Sequence, residues 1–315
     1  YNDYWLRLAG VPSNHDESFF AKDSEKAMDL AASTQYIFEQ VILEAVNELY
    51  EKTKDYNEGN LCLSGGSFLN CNVNTLIKTK TKFKNLSISP ACGDEGLAAG
   101  SALYVAHNIL GLERIKYSPG ELAYLGGEYK IPEIGEVYDA AKVAKMISNG
   151  KIVAWYQGRS EFGPRALGNR SLLADPTNPE MKDILNSRVK FREWFRPFAP
   201  SVLEEKSSEW FDFEGPSPFM LFTAQVKQPK KIPAVTHVDN TSRMQTVNKE
   251  DNPRYYELIQ EFEKITGVPM ILNTSLNING EPIVETPEDA LRFLRTTDSD
   301  ALVLGNRLIL KKDLI

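Results

Sequence analysis

A short apolar run followed by arginines, glycines and prolines is the feature that most constrains this chain. Residues Lys151–Tyr156 (KIVAWY) have the length and composition of a buried β-strand. The segment after it, Gln157–Ser201, carries basic residues beside turn-forming glycines and prolines: Arg159, Arg165, Arg170, Lys190, Arg192 and Arg196. Guanidinium groups at such turns form forked, charge-assisted hydrogen bonds to phosphate or carboxylate. The sequence therefore predicts an anion site at the end of a buried strand.

The distribution of charge favours a focused site over an extended nucleic-acid surface. Residues 159–196 contain eight Lys/Arg and five Asp/Glu, a local charge of +3, whereas the whole chain carries −7. Basic charge that is concentrated in one place within an acidic protein indicates a site for a small anion. We therefore expect no nucleic-acid partner.

Composition narrows the class of protein. The chain has 315 residues, with 42% apolar and 25% charged residues, as in a soluble protein of about two domains. It has no run of eighteen apolar residues, so no membrane partner is expected. Three cysteines without metal-ligand spacing favour a reduced, cytoplasmic location. The start of the chain has no signal-peptide pattern. Its first residue is Tyr1 and not Met, which leads us to expect a fragment or a processed piece.

Alternating strands, glycine-containing turns and helices predict an α/β fold. We expect a first domain over residues 1–115, a turn-rich linker over 116–134 and a second domain over 135–315. The first domain is predicted to begin with a long helix over Ser24–Tyr56. Further strands are expected at Leu61–Leu63, Leu86–Ser89, Met270–Asn273, Ala301–Leu304 and Arg307–Lys311, and helices at Tyr138–Ser148, Pro253–Thr266 and after Thr286.

Two glycine-containing turns precede helices in the first domain. Gly65 and Gly66 follow a strand and suit a backbone cradle for phosphate, although an empty turn is the commoner meaning of a lone Gly-Gly pair. Asn70 and Asn74 lie four residues apart, so they would share one face of a helix. Asp94, in the second turn, suits either a metal ligand or a helix cap.

Two sets of polar residues in the second domain are weak signals when each is taken alone. Lys190-Phe191-Arg192 and Ser275-Leu276-Asn277 each resemble a charged strand edge or a polar turn. His237 lies two residues before Asp239, so both side chains would face one side of a strand, although a lone histidine is more often structural. The same segment continues with Arg243, Gln245 and Thr246.

Together these segments resemble the NodU/CmcH-type O-carbamoyltransferase family. The matching pieces are SGGSFLNCNVN (64–74), ACGDEG (91–96), QGRSEFGPRALGNRS (157–171), VKFREWFRPFAPS (189–201), THVDNTSRMQTV (236–247) and GVPMILNTSLNINGEPIVETPEDAL (267–291). The resemblance extends from about residue 24 to the end, and GPRALG and FRPFAPS are its most specific pieces. Lys190, Arg192, Ser275 and Asn277 also match the KxR…SxN signature of YrdC-like proteins.

The resemblance implies a fold and an activity. The expected fold is the second lobe of an actin-like (ASKHA) ATPase domain, followed by a YrdC-like α/β domain with a twisted, mostly mixed sheet. The YrdC-like domain would make carbamoyl-adenylate from ATP and carbamoyl phosphate. The actin-like domain would then pass the carbamoyl group to a hydroxyl of a small acceptor, such as a sugar or natural product. The implied cofactors are ATP with Mg2+ and a divalent metal (Fe2+, Mn2+ or Zn2+), and a homodimer is one expected assembly.

The resemblance also implies roles for individual residues. Catalytic roles fall to Arg165, Lys190 and Arg196. Substrate or nucleotide binding falls to Arg159, Arg170, Arg192, His237, Arg243, Thr246, Ser275 and Asn277, with Gly65, Gly66 and Asn70 beside the adenylate and Asp94 as a metal ligand. Because family members are longer and their HxxxH metal motif does not occur in these residues, we expect the C-terminal part of a larger enzyme with an incomplete metal site.

Two other functions remain open at this point. One is HypF-like carbamoylation of a maturation protein, which would be accompanied by acylphosphatase and zinc-finger segments upstream. The other is a non-catalytic nucleotide- or RNA-binding module, against which the acidic balance of the chain counts.

Overall fold

The computed structural model describes residues 24–193 and 195–313. By backbone contacts the chain forms two compact units: the residues up to Leu61 with Leu76–Leu86, and Cys62–Thr75 with the residues from Ser87 onward. The bounds of these units differ from those of the domains predicted over 1–115 and 135–315. The predicted domains stay a prediction.

The first unit is dominated by one long helix. Helix α1 (Ser24–Thr53) confirms the predicted helix and ends three residues earlier than expected. Tyr50, in its last turn, packs edge-on against Phe83 with ring centroids 5.1 Å apart. Lys82 pairs with Glu51 at 2.7 Å, so an aromatic contact and an ion pair hold the helix end to the segment around Phe83.

The predicted strand–loop–helix pattern is confirmed in the residues that follow α1. These elements are β1 (Asn60–Leu63), a 3-10 turn (Gly66–Leu69), α2 (Cys71–Lys80), β2 (Asn85–Ile88), a 3-10 turn (Asp94–Gly96), α3 (Leu97–Tyr104) and a π-helical turn (Val105–Ile109). Strands β1 and β2 are hydrogen-bonded neighbours in a two-stranded sheet.

A large mixed sheet forms the centre of the second unit. In chain order the remaining strands are β3 (Glu136–Val137), β4 (Val153–Tyr156), β5 (Arg170–Ala174), β6 (Ala199–Leu203), β7 (Phe211–Asp212), β8 (Ala224–Val226), β9 (Thr241–Ser242), β10 (Gln245–Val247), β11 (Met270–Ser275), β12 (Ala301–Leu304) and β13 (Arg307–Leu310). Eight of them pair in the order β10-β6-β11-β5-β4-β12-β13-β3, and β7, β8 and β9 form a separate small sheet. Because β10–β6 and β12–β4 are parallel and the other pairs antiparallel, the expected α/β class with a mixed sheet is confirmed.

Six further α-helices follow in the described part of the chain, and four of them begin at a side-chain cap. They are α4 (Pro119–Ala123), α5 (Ala140–Ser148), α6 (Met181–Leu185), α7 (Ser207–Trp210), α8 (Pro253–Thr266) and α9 (Pro287–Thr296). The predicted bounds of α8 are confirmed, and Gly267 ends it with a φ of 71°. Thr286 and Asp289 form a capping box at the start of α9, as the sequence indicated. Within the described part of the chain, no helix combines the length and apolar character of a membrane span.

Strand β4 and its aromatic side chains lie in the core of the second unit. All four residues of β4 are buried, and Trp155 and Tyr156 are among the largest fully enclosed side chains. The Trp155 ring lies between Tyr138 and Tyr255, with centroid distances of 5.6 and 6.0 Å. The packing of these side chains holds β4 in the core. The loop that follows β4 therefore begins at a well-fixed position.

The segment predicted to be a linker, residues 116–134, is folded onto the second unit. Ser118 caps α4 in a capping box with Glu121. The backbone of α4 receives a hydrogen bond from Phe162 N to Ala123 O (2.6 Å), and Gly126 N donates to Ser160 O (3.0 Å). Residues 119–126 thus form a strap against the chain that follows β4.

Truncation of a core side chain should destabilise the sheet. Leu302, on β12, has no exposed surface, so Leu302→Ala is expected to lower the free energy of unfolding by about 2–5 kcal/mol. Val137, on the edge strand β3, is 71% exposed, and Val137→Ala should change it by about 0.5 kcal/mol or less. Urea denaturation followed by circular dichroism measures both, and equal losses would contradict this description of the sheet.

Candidate anion site

The loop that follows β4 is shaped by two glycines with positive φ. At Gly163 φ is 126°, and an added Cβ would lie 2.4 Å from the carbonyl oxygen of Pro90. At Gly168 φ is 105°, and an added Cβ would lie 2.4 Å from the ring of Tyr255. Because any larger residue would both strain the backbone and collide with a neighbour, this conformation depends on glycine at both positions.

Buried side chains from the sheet and the strap hold the backbone of this loop. Leu167 O accepts hydrogen bonds from Gln245 Nε2 (2.8 Å) and from the Tyr124 hydroxyl (3.0 Å). Gly168 O accepts from the indole N–H of Trp155 at 2.6 Å. These hydrogen bonds hold the backbone of the loop in one conformation. The directions of its other side chains are fixed as a result.

Arg170 points inward and binds the protein's own backbone. It has no exposed surface, and its guanidinium lies 3.6 Å from the centroid of the Tyr156 ring. Its N–H groups donate to four carbonyl oxygens, those of Gln157 (2.7 Å), Asn169 (3.1 Å), Gly158 (3.2 Å) and Glu285 (3.3 Å). The sequence suggested substrate binding for Arg170, whereas its position favours a structural role in closing the loop.

Arg159 also binds backbone, although it is exposed. Its guanidinium donates to Gly126 O at 2.8 Å and to Leu125 O at 3.2 Å. This arginine therefore ties the strap to the loop, which again favours a structural role over the predicted ligand contact.

Lys190 joins the two halves of the KxR…SxN pattern. It ends a π-helical turn (Asn186–Lys190) and is buried. Its ammonium group donates to Asn277 Oδ1 (2.9 Å), Asn277 O (3.0 Å) and Ser275 Oγ (3.3 Å), and also to Ser275 O. Ser275 Oγ in turn donates to Asn277 Oδ1 at 2.6 Å. The structure thus brings together residues that are separated by more than eighty positions in the sequence.

The charge of Lys190 is poorly compensated by these partners. Its acceptors are carbonyl, hydroxyl and amide oxygens, which are neutral. Burial, with a smaller contribution from the positive charge of Arg192, lowers the pKa of Lys190 to about 7. A bound anion would supply the missing negative charge and would favour the protonated lysine.

The positive charge of Arg192 acts on Lys190, and the charges of Arg165 and Arg192 act on Arg243, so these groups form one cluster of like charge. Burial lowers the pKa of Arg243, and the charges of Arg165 and Arg192 lower it further. Arg192 stacks over the Phe198 ring, 4.3 Å from its centroid, and burial lowers its pKa as well. Within the described residues, the buried Nε atoms of Arg165 and Arg243 have no hydrogen-bond partner. Unsatisfied donors in a positive cluster are the arrangement that an anion would complete.

His237 lies beside this cluster. Its Nδ1 is 3.1 Å from Thr241 Oγ1, and its buried Nε2 has no hydrogen-bond partner within the described residues. Burial lowers the pKa of His237, with opposing effects from Asp239, which raises it, and Arg243, which lowers it. The imidazole is therefore held neutral at pH 7, with one nitrogen left for a ligand.

Two of the predicted site residues, Thr246 and Arg196, interact with protein groups outside the cluster. Thr246, buried in β10, accepts a hydrogen bond from Ser217 N at 2.9 Å and donates to Glu204 Oε2 at 3.2 Å. Arg196, which the sequence suggested as catalytic, is exposed and pairs with Glu193 at 2.8 Å. Arg196 acts on the cluster only through its charge, which contributes to the lowered pKa of Arg192.

The glycine turn of the first predicted domain has space around it. Gly65 has a φ of 111° and donates to Cys92 O at 2.7 Å, and an added Cβ at Gly65 or Gly66 would have no atom within 4 Å. Asn70 precedes α2 and its Oδ1 accepts from Val73 N at 3.2 Å, so it acts as the cap of that helix.

Asn70 and Asn74 were expected to share one face of a helix, and the carbonyl oxygen of Asn70 accepts a hydrogen bond from Asn74 N at 3.2 Å at the start of α2. Asn74 is inside α2 and fully buried, and its Nδ2 donates to Phe68 O (2.8 Å) and Leu221 O (2.9 Å). Asn70 lies before the first residue of the helix. The contact with Leu221, 147 residues away, could not be recognised from local spacing.

Asp94 is exposed at the start of a 3-10 turn next to the arginine loop. Its neighbour Glu95 accepts from Gly93 N at 3.1 Å, and the charge of Arg165 acts on the Cys92 thiol, whose pKa burial raises. Among the described residues, no group of three or more His, Cys, Asp or Glu is placed to hold a metal ion. The residues described around Asp94 therefore do not fit a complete metal site.

Several side chains that hold the loop were not predicted from the sequence. They are Tyr124, Glu161, Asn252 and Asn273. Of these, Glu161 carries a usable signal, because it is the single acidic residue among the arginines of residues 157–171. The other three lie far from the loop in sequence and become neighbours only through the sheet topology.

The lowered pKa of Lys190 predicts a pH-dependent stability. A lysine in the unfolded chain has a pKa of about 10.4, so between pH 7 and that value the unfolded state binds more protons than the folded state. The free energy of unfolding should therefore rise with pH in this window, relative to Lys190→Met, by up to about 1.4 kcal/mol per pH unit. Urea denaturation at several pH values measures the difference. The exposed Lys249→Met serves as control, and parallel pH profiles for wild type and Lys190→Met would contradict the buried ammonium.

Comparison with known proteins places these features in a family. The model of the family "Carbamoyltransferase C-terminus" matches residues 144–311, which include the arginine loop, Lys190 and Asn277. The model "Carbamoyltransferase N-terminus" matches residues 6–103, which include both glycine turns.

Two curated relatives match nearly the whole chain. An uncharacterized protein of Synechocystis sp. is 42% identical over 98% of this chain and 56% of its own length. Nodulation protein NolNO of Sinorhizobium fredii is 41% identical over 92% of this chain and 45% of its own length. The chain thus spans about half the length of the curated relatives that it matches.

The solved structures show a partial likeness. Full-length HypF in a phosphate- and nucleotide-bound form aligns with a TM-score of 0.41 and 24% identity, over 55% of this chain and 26% of that one. Sua5 of P. abyssi in complex with L-threonine aligns with a TM-score of 0.36 and 18% identity, over 55% of this chain and 49% of that one.

The family models, and not these structures, assign the family. The C-terminal model matches more than half of the chain and the N-terminal model matches the part before it, so the chain belongs to the carbamoyltransferase family.

Proposed function

We propose that the cluster around Lys190 binds ATP and carbamoyl phosphate and joins them into carbamoyl-adenylate. In this reaction water releases phosphate from carbamoyl phosphate, and an oxygen of the resulting carbamate attacks the α-phosphorus of ATP, which loses pyrophosphate. The observation that carries the proposal is the pair of buried Nε atoms on Arg165 and Arg243, which have no hydrogen-bond partner in the part of the chain that the structure describes. Membership of the carbamoyltransferase family supports the choice of anions.

The electrostatics of the cluster suit two polyanions. ATP and carbamoyl phosphate carry several negative charges that repel each other in one pocket. Cations held in place before the ligands arrive lower this repulsion and need no reorganisation during the reaction. The charges of Arg165 and Arg192 lower the pKa of Arg243, and the Nε atoms of Arg165 and Arg243 have no hydrogen-bond partner among the described residues, so these cations are such a preorganised set.

Individual roles follow from position. Arg165 and Arg243 are assigned to phosphate and carbamate oxygens through their unpartnered Nε atoms. Lys190 is assigned to the phosphate that leaves or to the α-phosphate, with Ser275 and Asn277 orienting its ammonium group. Arg170 and Arg159 are assigned to the loop itself, because carbonyl oxygens occupy their donors.

The complete reaction requires further components, which belong to the same proposal. ATP enters with Mg2+, and the carbamoyl group passes to a hydroxyl of a small acceptor at the glycine turns Gly65-Gly66 and Gly93–Gly96 of the actin-like part. A divalent metal (Fe2+, Mn2+ or Zn2+) would act at that transfer site with Asp94 and with ligands beyond the described residues. We propose that the enzyme acts in the cytoplasm. We also propose that it assembles as a homodimer.

Removal of either central cation should abolish the activation step. Arg165→Ala and Lys190→Ala are expected to lower carbamoyl-phosphate-dependent release of pyrophosphate from ATP by about a hundredfold or more, since each leaves charge uncompensated in the transition state. A coupled pyrophosphate assay measures the rate. Arg295→Ala, an exposed arginine on α9, is the matched control and should keep the wild-type rate.

The outcomes separate the proposal from its alternatives. Wild-type rates in both variants would reject the site. Pyrophosphate release in the absence of carbamoyl phosphate would indicate hydrolysis of ATP to AMP and would contradict the proposed activation step. Tight binding of an RNA oligonucleotide at low salt, lost in Arg165→Ala, would indicate a binding module in place of an enzyme.

A further inference from the structure

Glu161 lies in the loop after β4, four residues before Arg165, and its side chain folds back into that loop. One carboxylate oxygen, Oε1, accepts three backbone N–H groups: those of Leu167 (2.7 Å), Asn169 (2.8 Å) and Arg170 (3.2 Å). The carboxylate therefore ties the start of the segment 161–170 to its end. Arg165 lies at the far side of the turn that this contact closes.

The contact also fills a site that would otherwise attract an anion. Backbone N–H groups that converge on one point form a nest, which binds phosphate or carboxylate from outside. Here the internal carboxylate of Glu161 occupies the nest formed by Leu167, Asn169 and Arg170. An external anion is thus left with the side chain of Arg165, whose Nε has no hydrogen-bond partner in the described part of the chain.

The two sides of the turn are clamped independently of Glu161. Gly163 lies against Pro90 O, and Gly168 lies against the Tyr255 ring. The carboxylate links these clamped points across the turn. Without it, three backbone N–H groups of buried residues would lose their acceptor, which is unfavourable where water cannot replace it.

We propose that Glu161 is a positioning residue for the anion site, whose carboxylate holds the 161–170 turn so that Arg165 faces the cluster of Arg192 and Arg243. The chemical identity of the anion rests on the proposed function. The geometric part of the inference does not, because it concerns the turn and its hydrogen bonds.

The protonation state of Glu161 gives the proposal a distinctive signature. Burial raises the pKa of this carboxyl, although the three backbone N–H groups oppose the shift. The charged or titratable groups that face it are Arg170 from β5, Tyr124 from the strap and Tyr255 from α8. Burial raises the pKa of both tyrosines, so they stay neutral, and Arg170 stays charged. Glu161 is then the group in this set that takes up a proton as the pH falls, and its raised pKa means that it does so at a higher pH than an ordinary carboxyl group.

Hydrogen exchange tests the geometric part in the whole chain. In Glu161→Ala, amide exchange of the peptide covering residues 165–170 should rise at least tenfold, with no change in β12 (Ala301–Leu304). Glu161→Gln keeps one carbonyl acceptor and should give an intermediate rise. The exposed Glu209→Gln is the matched control and should exchange as wild type does. If Glu161→Ala does not fold, Glu161→Gln decides, and wild-type exchange at 165–170 in the variant that folds would overturn the proposal.

Binding of inorganic pyrophosphate tests the link to the anion site. Calorimetry should show at least tenfold weaker binding in Glu161→Ala than in Glu209→Gln, with partial recovery in Glu161→Gln. Wild-type binding should weaken as the pH falls through the titration of Glu161, and this acid limb should be absent in Glu161→Gln. Faster exchange at 165–170 with unchanged pyrophosphate binding would overturn the positioning role.

Failure of the proposed reaction can be distinguished from failure of the role proposed for Glu161. Wild-type protein that binds pyrophosphate but shows no carbamoyl-phosphate-dependent turnover would reject the proposed function and leave the role of Glu161 intact.

Discussion

Hydrogen bonds from buried side chains to the backbone of one loop are the interaction on which the rest of this structure depends. Trp155 and Gln245 reach from the central sheet to the carbonyl oxygens of Gly168 and Leu167, and Tyr124 reaches Leu167 from the strap. A loop held only by its own turns would sample many conformations. This loop is held as part of the core, so its arginines have fixed positions before any ligand is present.

Fixed positions matter because the cluster is electrostatically unfavourable when it is empty. Lys190 has neutral acceptors, and Arg165, Arg192 and Arg243 repel one another. Free to move, these side chains would separate and extend into water. The folded sheet and loop keep them together, so part of the folding free energy offsets this repulsion, which a bound anion of the proposed kind would relieve. Such opposition between stability and function is common where sites are preorganised.

Local signals in the sequence predicted much of the fold. Helix α8 and the Thr286 cap were predictable because Pro, Gly and capping residues act within a few positions. The pairing of Lys190 with Asn277 came from the resemblance to a family signature, since nothing local links residues so far apart. The inward direction of Arg170 was not predictable, because its acceptor at Glu285 is brought near only by the sheet topology.

Arg170 and Arg165 show why composition alone cannot assign a site. Both are arginines of one glycine-rich segment, five positions apart, and both suggested anion binding. Arg170 is enclosed and donates to several carbonyl oxygens, so its positive charge is spread over the dipoles of the loop. Arg165 keeps a buried Nε that has no hydrogen-bond partner among the described residues. The inward arginine and Glu161 both bind the backbone of the turn, whereas this Nε of Arg165 remains available to the anion that we propose.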